Sequence, residues 1–65
     1  MEDFEKRVYK ERDDLNERFR KLTSFLNTDK FFLLPDDERD RLYIQRRYMR
    51  QYLEVLIDRI NNNFE

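Results

Sequence analysis

The sequence predicts an all-α protein, an antiparallel helical hairpin with a short connecting turn that assembles into a helical oligomer. Three observations predict it. Apolar residues recur at three- and four-residue steps along two long stretches. The single proline stands between those stretches, and no glycine interrupts either. The second stretch is apolar on more than one side. At 65 residues one domain is expected over the whole chain, and a lone core of this size supplies only about 3–5 kcal/mol. Association is therefore part of the expectation.

The first helix is read from about residue 2 to 27. Phe4, Val8, Leu15, Phe19, Leu22 and Leu26 fall within about 60° of one another at 100° per residue, a narrow stripe suited to one partner helix. Glu11 and Arg12 interrupt that stripe, so its first two turns are expected to be held less firmly. Glu2 with Lys6, Asp14 with Arg18 and Glu17 with Lys21 stand at i and i+4, where opposite charges add a few tenths of a kcal/mol each.

The connection is read over residues 28–34. Asn27 and Thr28 break the pattern, Thr28 suits the cap of a short turn through Asp29 to Phe32, and either Phe31 or Phe32 closes the core. Pro35 then disfavours helical geometry at Leu34, while Asp36, Asp37 and Glu38 place negative charge where a new helix is positive. The second helix is expected from about 35 to 61, with the asparagines at 61–63 as a fraying end. Leu42, Met49, Leu53, Leu56 and Ile60 form one stripe of it, and Ile44, Tyr48, Tyr52 and Val55 lie about 80–160° away around the axis. One partner helix cannot cover both, so the second stripe calls for another chain, unless its tyrosines lie flat with their hydroxyls in water.

Composition narrows the chemistry. With no cysteine and no histidine, disulfides, thiolate metal sites, the usual zinc ligand and the usual general base are excluded. No catalytic residue, metal ligand or cofactor is assigned, and an enzyme is the least favoured class. Fourteen basic against fifteen acidic side chains leave a net charge of −1, too balanced for coating DNA or RNA by bulk electrostatics. Anion binding has to be local. No apolar run approaches the roughly 20 residues of a membrane span, and "MEDFEKRVYKERDD" is the opposite of a signal peptide, so a soluble intracellular protein is expected. Four tyrosines and six phenylalanines argue for a folded chain despite 45% charged residues.

Three constellations bear on function. "RDRLYIQRRYMRQY" (39–52) interleaves Arg39, Arg41, Arg46, Arg47 and Arg50 with Tyr43, Tyr48 and Tyr52, a mixture suited to phosphates and base faces or simply to a solvated, ion-paired surface. Glu11, Asp13, Asp14 and Glu17 have same-face spacings, but nothing signals the burial a carboxylate or magnesium site needs. "KLTSF" sets an ammonium and two hydroxyls at the end of the first helix. Lys21 and Thr23 point about 200° apart around the axis, so one chain would hardly grip a phosphate with both, whereas two chains related by symmetry would. The plainer reading is a lysine placed favourably at a helix end.

A resemblance adds to this. The order "RV" (7–8), an acid at 11, Leu15, "KLTSFL" (21–26), a phenylalanine at 31 or 32, "LP" (34–35), Leu42, Gln45, Met49, Tyr52, "VL" (55–56) and "RI" (59–60) resembles a family of small phage proteins. That family includes the anti-CBASS sponge, which captures the cyclic nucleotide messengers of bacterial antiviral defence. The resemblance runs over roughly residues 4–60. It implies a homo-oligomer, a hexamer or, as the smaller alternative, a dimer, which holds a cyclic oligonucleotide between pairs of chains without degrading it. The place of action it implies is the cytoplasm of the infected bacterial host. Cyclic dinucleotides are the implied ligands, with trinucleotides at separate sites in some relatives.

Residue by residue, Lys21 and Thr23 match the K-x-T pair that holds phosphates in the sponge, Phe4 and Tyr9 are the candidates for its base-stacking aromatic, and Arg59 for a trinucleotide contact. The competing expectation is a small helical oligomer that docks a host protein through Ile44, Tyr48, Tyr52 and Val55 on the second helix.

Overall fold

The computed structural model describes residues 3–64. Three helices follow in order: α1 over Asp3–Phe25, a single turn α2 over Asp29–Phe32, and α3 over Asp36–Asn61. Among the described residues there is no strand. α1 and α3 pack against each other along a rod of 46 × 15 × 14 Å, whose length is close to the roughly 39 Å of a 26-residue helix. The pairing is antiparallel: Val8 and Leu15 of α1 cluster with Leu56 of α3, while Thr23 near the other end of α1 reaches Arg46.

The core is one seam. Val8, Leu15 and Leu56 are buried, and Met49, Leu53 and Ile60 pack on them, so the first apolar stripe of α3 meets the stripe of α1. The second stripe of α3 stays outside, with Ile44, Tyr48, Tyr52 and Val55 all exposed. Phe4 belongs to the α1 stripe by spacing yet is 48% exposed, and its ring meets the edge of Phe64, beyond the last residue of α3.

The connection has its own small core. Thr28 takes extended geometry as the cap of α2, and its hydroxyl both accepts from the Phe31 amide and donates to the Phe25 carbonyl at 2.7 Å. That cap turns Phe31 inward to complete burial, edge-on to Phe25, Phe32 and Tyr43 with ring centroids 5.2 to 6.1 Å away. Its neighbour Phe32 faces outward at 59% exposure. Pro35 caps α3 by backbone geometry alone, and Arg39 and Arg41 tie back to the acids of the first turn.

Two local expectations need correction. Asp14 is held by Lys10 at 2.6 Å and Glu17 by Arg20 at 3.3 Å, in place of Arg18 and Lys21. Several cations lie within a turn of each acid on this exposed face, and pairs worth so little are settled by rotamer preference. The pair of Glu2 with Lys6 lies outside the described residues.

The asparagine end is closed by a hydrogen-bonded cap. Asn63 takes a left-handed φ of 57°, its N–H donates to the Ile60 carbonyl at 3.2 Å, and the Phe64 N–H donates to the Arg59 carbonyl. Those two bonds are a Schellman cap with asparagine in the place where glycine is commonest. It turns Phe64 back onto α1, where its ring meets Phe4 and Tyr9.

Candidate ligand-binding site

Sequence reasoning singled out Lys21, Thr23, Tyr9, Phe4 and Arg59, and the fold distributes them over two ends of the rod. Lys21 and Thr23 sit in the last two turns of α1, beside the connection. Phe4 and Tyr9 sit toward the other end, about 26–29 Å and about 18–21 Å away along the helix at 1.5 Å per residue. Arg59 is on the last turn of α3 near Tyr9's end, and its carbonyl is occupied by the terminal cap. A single protomer therefore keeps the K-x-T pair apart from both aromatic candidates.

At the connection end, the side chains are built up as follows. Lys21 is exposed and in no hydrogen bond or ion pair with the described residues. Thr23 is half-buried, because it faces α3, and its hydroxyl oxygen accepts a hydrogen bond from Arg46 Nε at 2.9 Å. The same guanidinium lies over the Phe19 ring, 5.0 Å from its centroid, so an aromatic face and a hydroxyl hold it together. Asn27 donates to the Thr23 carbonyl at 3.0 Å and closes the last turn.

Thr23, Asn27 and Arg46 rim a concavity whose lining does not include Lys21. Thr23, Leu26, Asn27, Tyr43 and Arg46 line a cavity of about 190 Å³. On the far side of Arg46, a groove of about 440 Å³ runs along α3 between Arg46, Arg47, Arg50, Gln51 and Glu54. Arg50 is paired with Glu54 at 3.3 Å, and Arg47 lies over the Tyr48 ring. Arg46 thus forms the wall between the two hollows.

The groove on the other side of the rod has mixed charge. Arg7, Lys10, Glu11, Asp14, Arg18 and Tyr52 line about 330 Å³ there. The hydrogen bond from Lys10, aided by the positive charges of Lys10 and Arg18, holds the Asp14 carboxyl below the usual carboxylate range. The carboxylates that looked like a same-face cluster are exposed, and Asp13, Asp14 and Glu17 are each ion-paired on their own helix. Among the described residues no group of three or more acids could hold a metal ion. No helix is long and apolar enough to cross a membrane among the described residues.

At the opposite end, Tyr9 is half-buried. Phe64 meets it edge-on at 5.7 Å, and the Arg12 guanidinium lies over its ring at 5.2 Å. An incoming base would meet a tyrosine already oriented by two neighbours. Phe4 is the more open ring and meets Phe64 edge-on at 5.8 Å.

The neighbour of Thr23 that the K-x-T reading did not single out is Arg46. It appeared only as one arginine in a basic run, and nothing local in "QRRY" distinguishes it from Arg47. Its partner is 23 residues away and is chosen by the packing of the hairpin.

Fold and site together define a small helical hairpin whose connection end sets the Arg46 guanidinium against the Thr23 hydroxyl, with no metal-ligating cluster among the described residues. The chain belongs to the Sequestin family, whose model it matches over residues 2–62. The match bears out the resemblance to the phage sponge family read from the sequence, and the family's name denotes a holding role in place of a catalytic one. No curated protein and no solved structure matches the chain.

Proposed function

We propose that this protein is a non-enzymatic sponge that sequesters cyclic oligonucleotide second messengers, cyclic dinucleotides first, in the cytoplasm of an infected bacterial host, and so blocks antiviral signalling. The observation that carries the proposal is the K-x-T pair of a Sequestin chain at the connection end of the hairpin, where Thr23 and Arg46 rim a cavity. Lys21 neutralises phosphodiester charge and the Thr23 hydroxyl donates to a phosphate oxygen.

The ligand lies between two protomers. A cavity of about 190 Å³ falls short of the roughly 300–1,000 Å³ of small-molecule sites, so one chain supplies only part of a pocket. A second copy running alongside in the opposite direction brings its Tyr9 or Phe4 toward the first chain's Lys21, which resolves the separation of the two groups within one protomer. The exposed stripe of Ile44, Tyr48, Tyr52 and Val55 offers the apolar surface for such assembly, with a hexamer as the expected closed form. Arg59, at the aromatic end, is assigned to a trinucleotide contact between chains.

Calorimetric titration against cyclic di-AMP, cyclic di-GMP, cyclic GMP–AMP and cyclic trinucleotides tests this. Sequestration demands tight capture, near about −12 kcal/mol for a nanomolar complex. The expected result is one such complex, lost with Lys21→Ala, and intact ligand recovered on heating. Failure of every ligand to bind more tightly than about 10 µM, or native affinity in Lys21→Ala, refutes it. Light scattering on the same samples gives the assembly size.

The exposure of all four residues of the second α3 stripe also favours a different reading, docking of a host protein on that face. A host protein that co-purifies, and is lost with Tyr52→Ala while nucleotides have no effect, would carry it.

A further inference from the structure

We propose that Arg46 is a third phosphate-binding residue of the Lys21 and Thr23 site, a guanidinium fork held ready by Thr23 and Phe19. The inference rests on the cyclic-nucleotide reading above and adds to it a residue on the other helix.

The geometry carries it in three steps. The first is which of Arg46's donors are spent. Nε donates to Thr23 Oγ1 at 2.9 Å, and the two terminal nitrogens have no hydrogen-bond partner among the described residues, so they remain available as a two-pronged donor. A phosphate oxygen pair is the acceptor that fits such a fork.

The second step concerns Thr23. Because its oxygen accepts from Arg46, its own O–H is left to donate. Arg46 thereby orients the hydroxyl, and one phosphate placed at the rim of the cavity meets Thr23 O–H and the Arg46 fork together.

The third step is charge. Lys10, Arg12, Arg20, Arg39, Arg41 and Arg50 each lie against an acid on their own helix. Arg46 has no acid partner among the described residues; its neighbours are a hydroxyl and a phenyl ring. A half-buried cation fixed in position without a counter-charge is a standing attraction for a phosphodiester, and fixing it in advance removes the ordering cost that a free arginine carries on binding.

The test compares Arg46→Gln, Arg46→Lys and Arg47→Gln with the native chain by calorimetry, using whichever cyclic dinucleotide the native protein binds. Thermal unfolding of each variant confirms the fold. Arg46→Gln is expected to bind roughly 10- to 100-fold more weakly, as loss of charge-assisted hydrogen bonds gives. Arg46→Lys should recover only part of that loss, since an ammonium cannot fork and cannot hold Thr23 through Nε. Arg47→Gln, whose cation lies over Tyr48 away from Thr23, should stay within about twofold.

Native affinity in a folded Arg46→Gln overturns the assignment while leaving the sponge reading intact. So does complete rescue by Arg46→Lys, or an equal loss in Arg47→Gln, because either would reduce the effect to unspecific charge. If the native chain binds no cyclic nucleotide, both readings fall together.

Discussion

Phe31 and Phe32 are adjacent in sequence and chemically identical, yet one is fully buried and the other 59% exposed. Truncating Phe31 to alanine empties the small core under the connection and removes three edge-on ring contacts, to Phe25, Phe32 and Tyr43. A buried Phe→Ala change costs about 3–5 kcal/mol. In a domain of this size each 1 kcal/mol lowers the melting temperature by roughly 4–8 °C, so Phe31→Ala should lose at least about 12 °C. That loss is comparable to the whole stability a lone core of this length supplies, so the variant is expected to be largely unfolded at 37 °C.

Phe32→Ala removes only the contact at 5.3 Å with Phe31 and area already in water, so about 0.5–1.5 kcal/mol is expected. Far-UV circular dichroism of both variants during heating, at two protein concentrations to separate folding from association, makes the comparison. Equal losses in the two variants at the lower concentration would refute the inward turn of Phe31 and, with it, the role of Thr28 in setting that turn.

Two further outcomes follow from local geometry. Asn63 holds a left-handed backbone, so Asn63→Gly should keep or raise the melting temperature, whereas the β-branched Asn63→Val should cost about 1–2 kcal/mol by thermal unfolding. The Asp14 carboxyl is depressed by Lys10, so whatever it contributes to stability is complete above the ordinary aspartate pKa and is lost as pH falls through the lower folded value; an NMR titration of its carboxyl carbon should show a low midpoint that moves up toward the ordinary value in Lys10→Gln, and an unmoved midpoint would refute the pairing.

Much of the fold was legible because a single helical period governs it. The stripe of Val8 and Leu15 and the stripe of Met49, Leu53 and Leu56 meet in the structure, and the leftover residues of α3 stay exposed. Legibility failed wherever a residue's surroundings are set by another segment. Nothing in "DKFFLL" says which phenylalanine turns inward, since the Thr28 cap and the Tyr43 wall decide it. The return of Phe64 depends on an asparagine taking a conformation it adopts only in minority, so a run of asparagines read as a loose end.

The site shows the same division. The K-x-T spacing is local and visible in the sequence, whereas the contact of Thr23 with Arg46 joins the two arms of the hairpin and is not. On exposed faces the choice of ion-pair partners escaped prediction for a different reason, namely that the alternatives differ by less than thermal energy.

The contact between Thr23 and Arg46 also has a kinetic meaning. It closes a loop of 23 residues, whereas Phe4 and Phe64 at the far end close one of 60. On the logarithmic scaling of loop entropy the longer closure is dearer by about 0.8 kcal/mol, before any difference in contacts. Chain entropy alone therefore makes the hairpin zip from its connection outward and peel from its open end inward. On this scaling the connection end, where Thr23 meets Arg46, is the first part of the hairpin to close and the last to open.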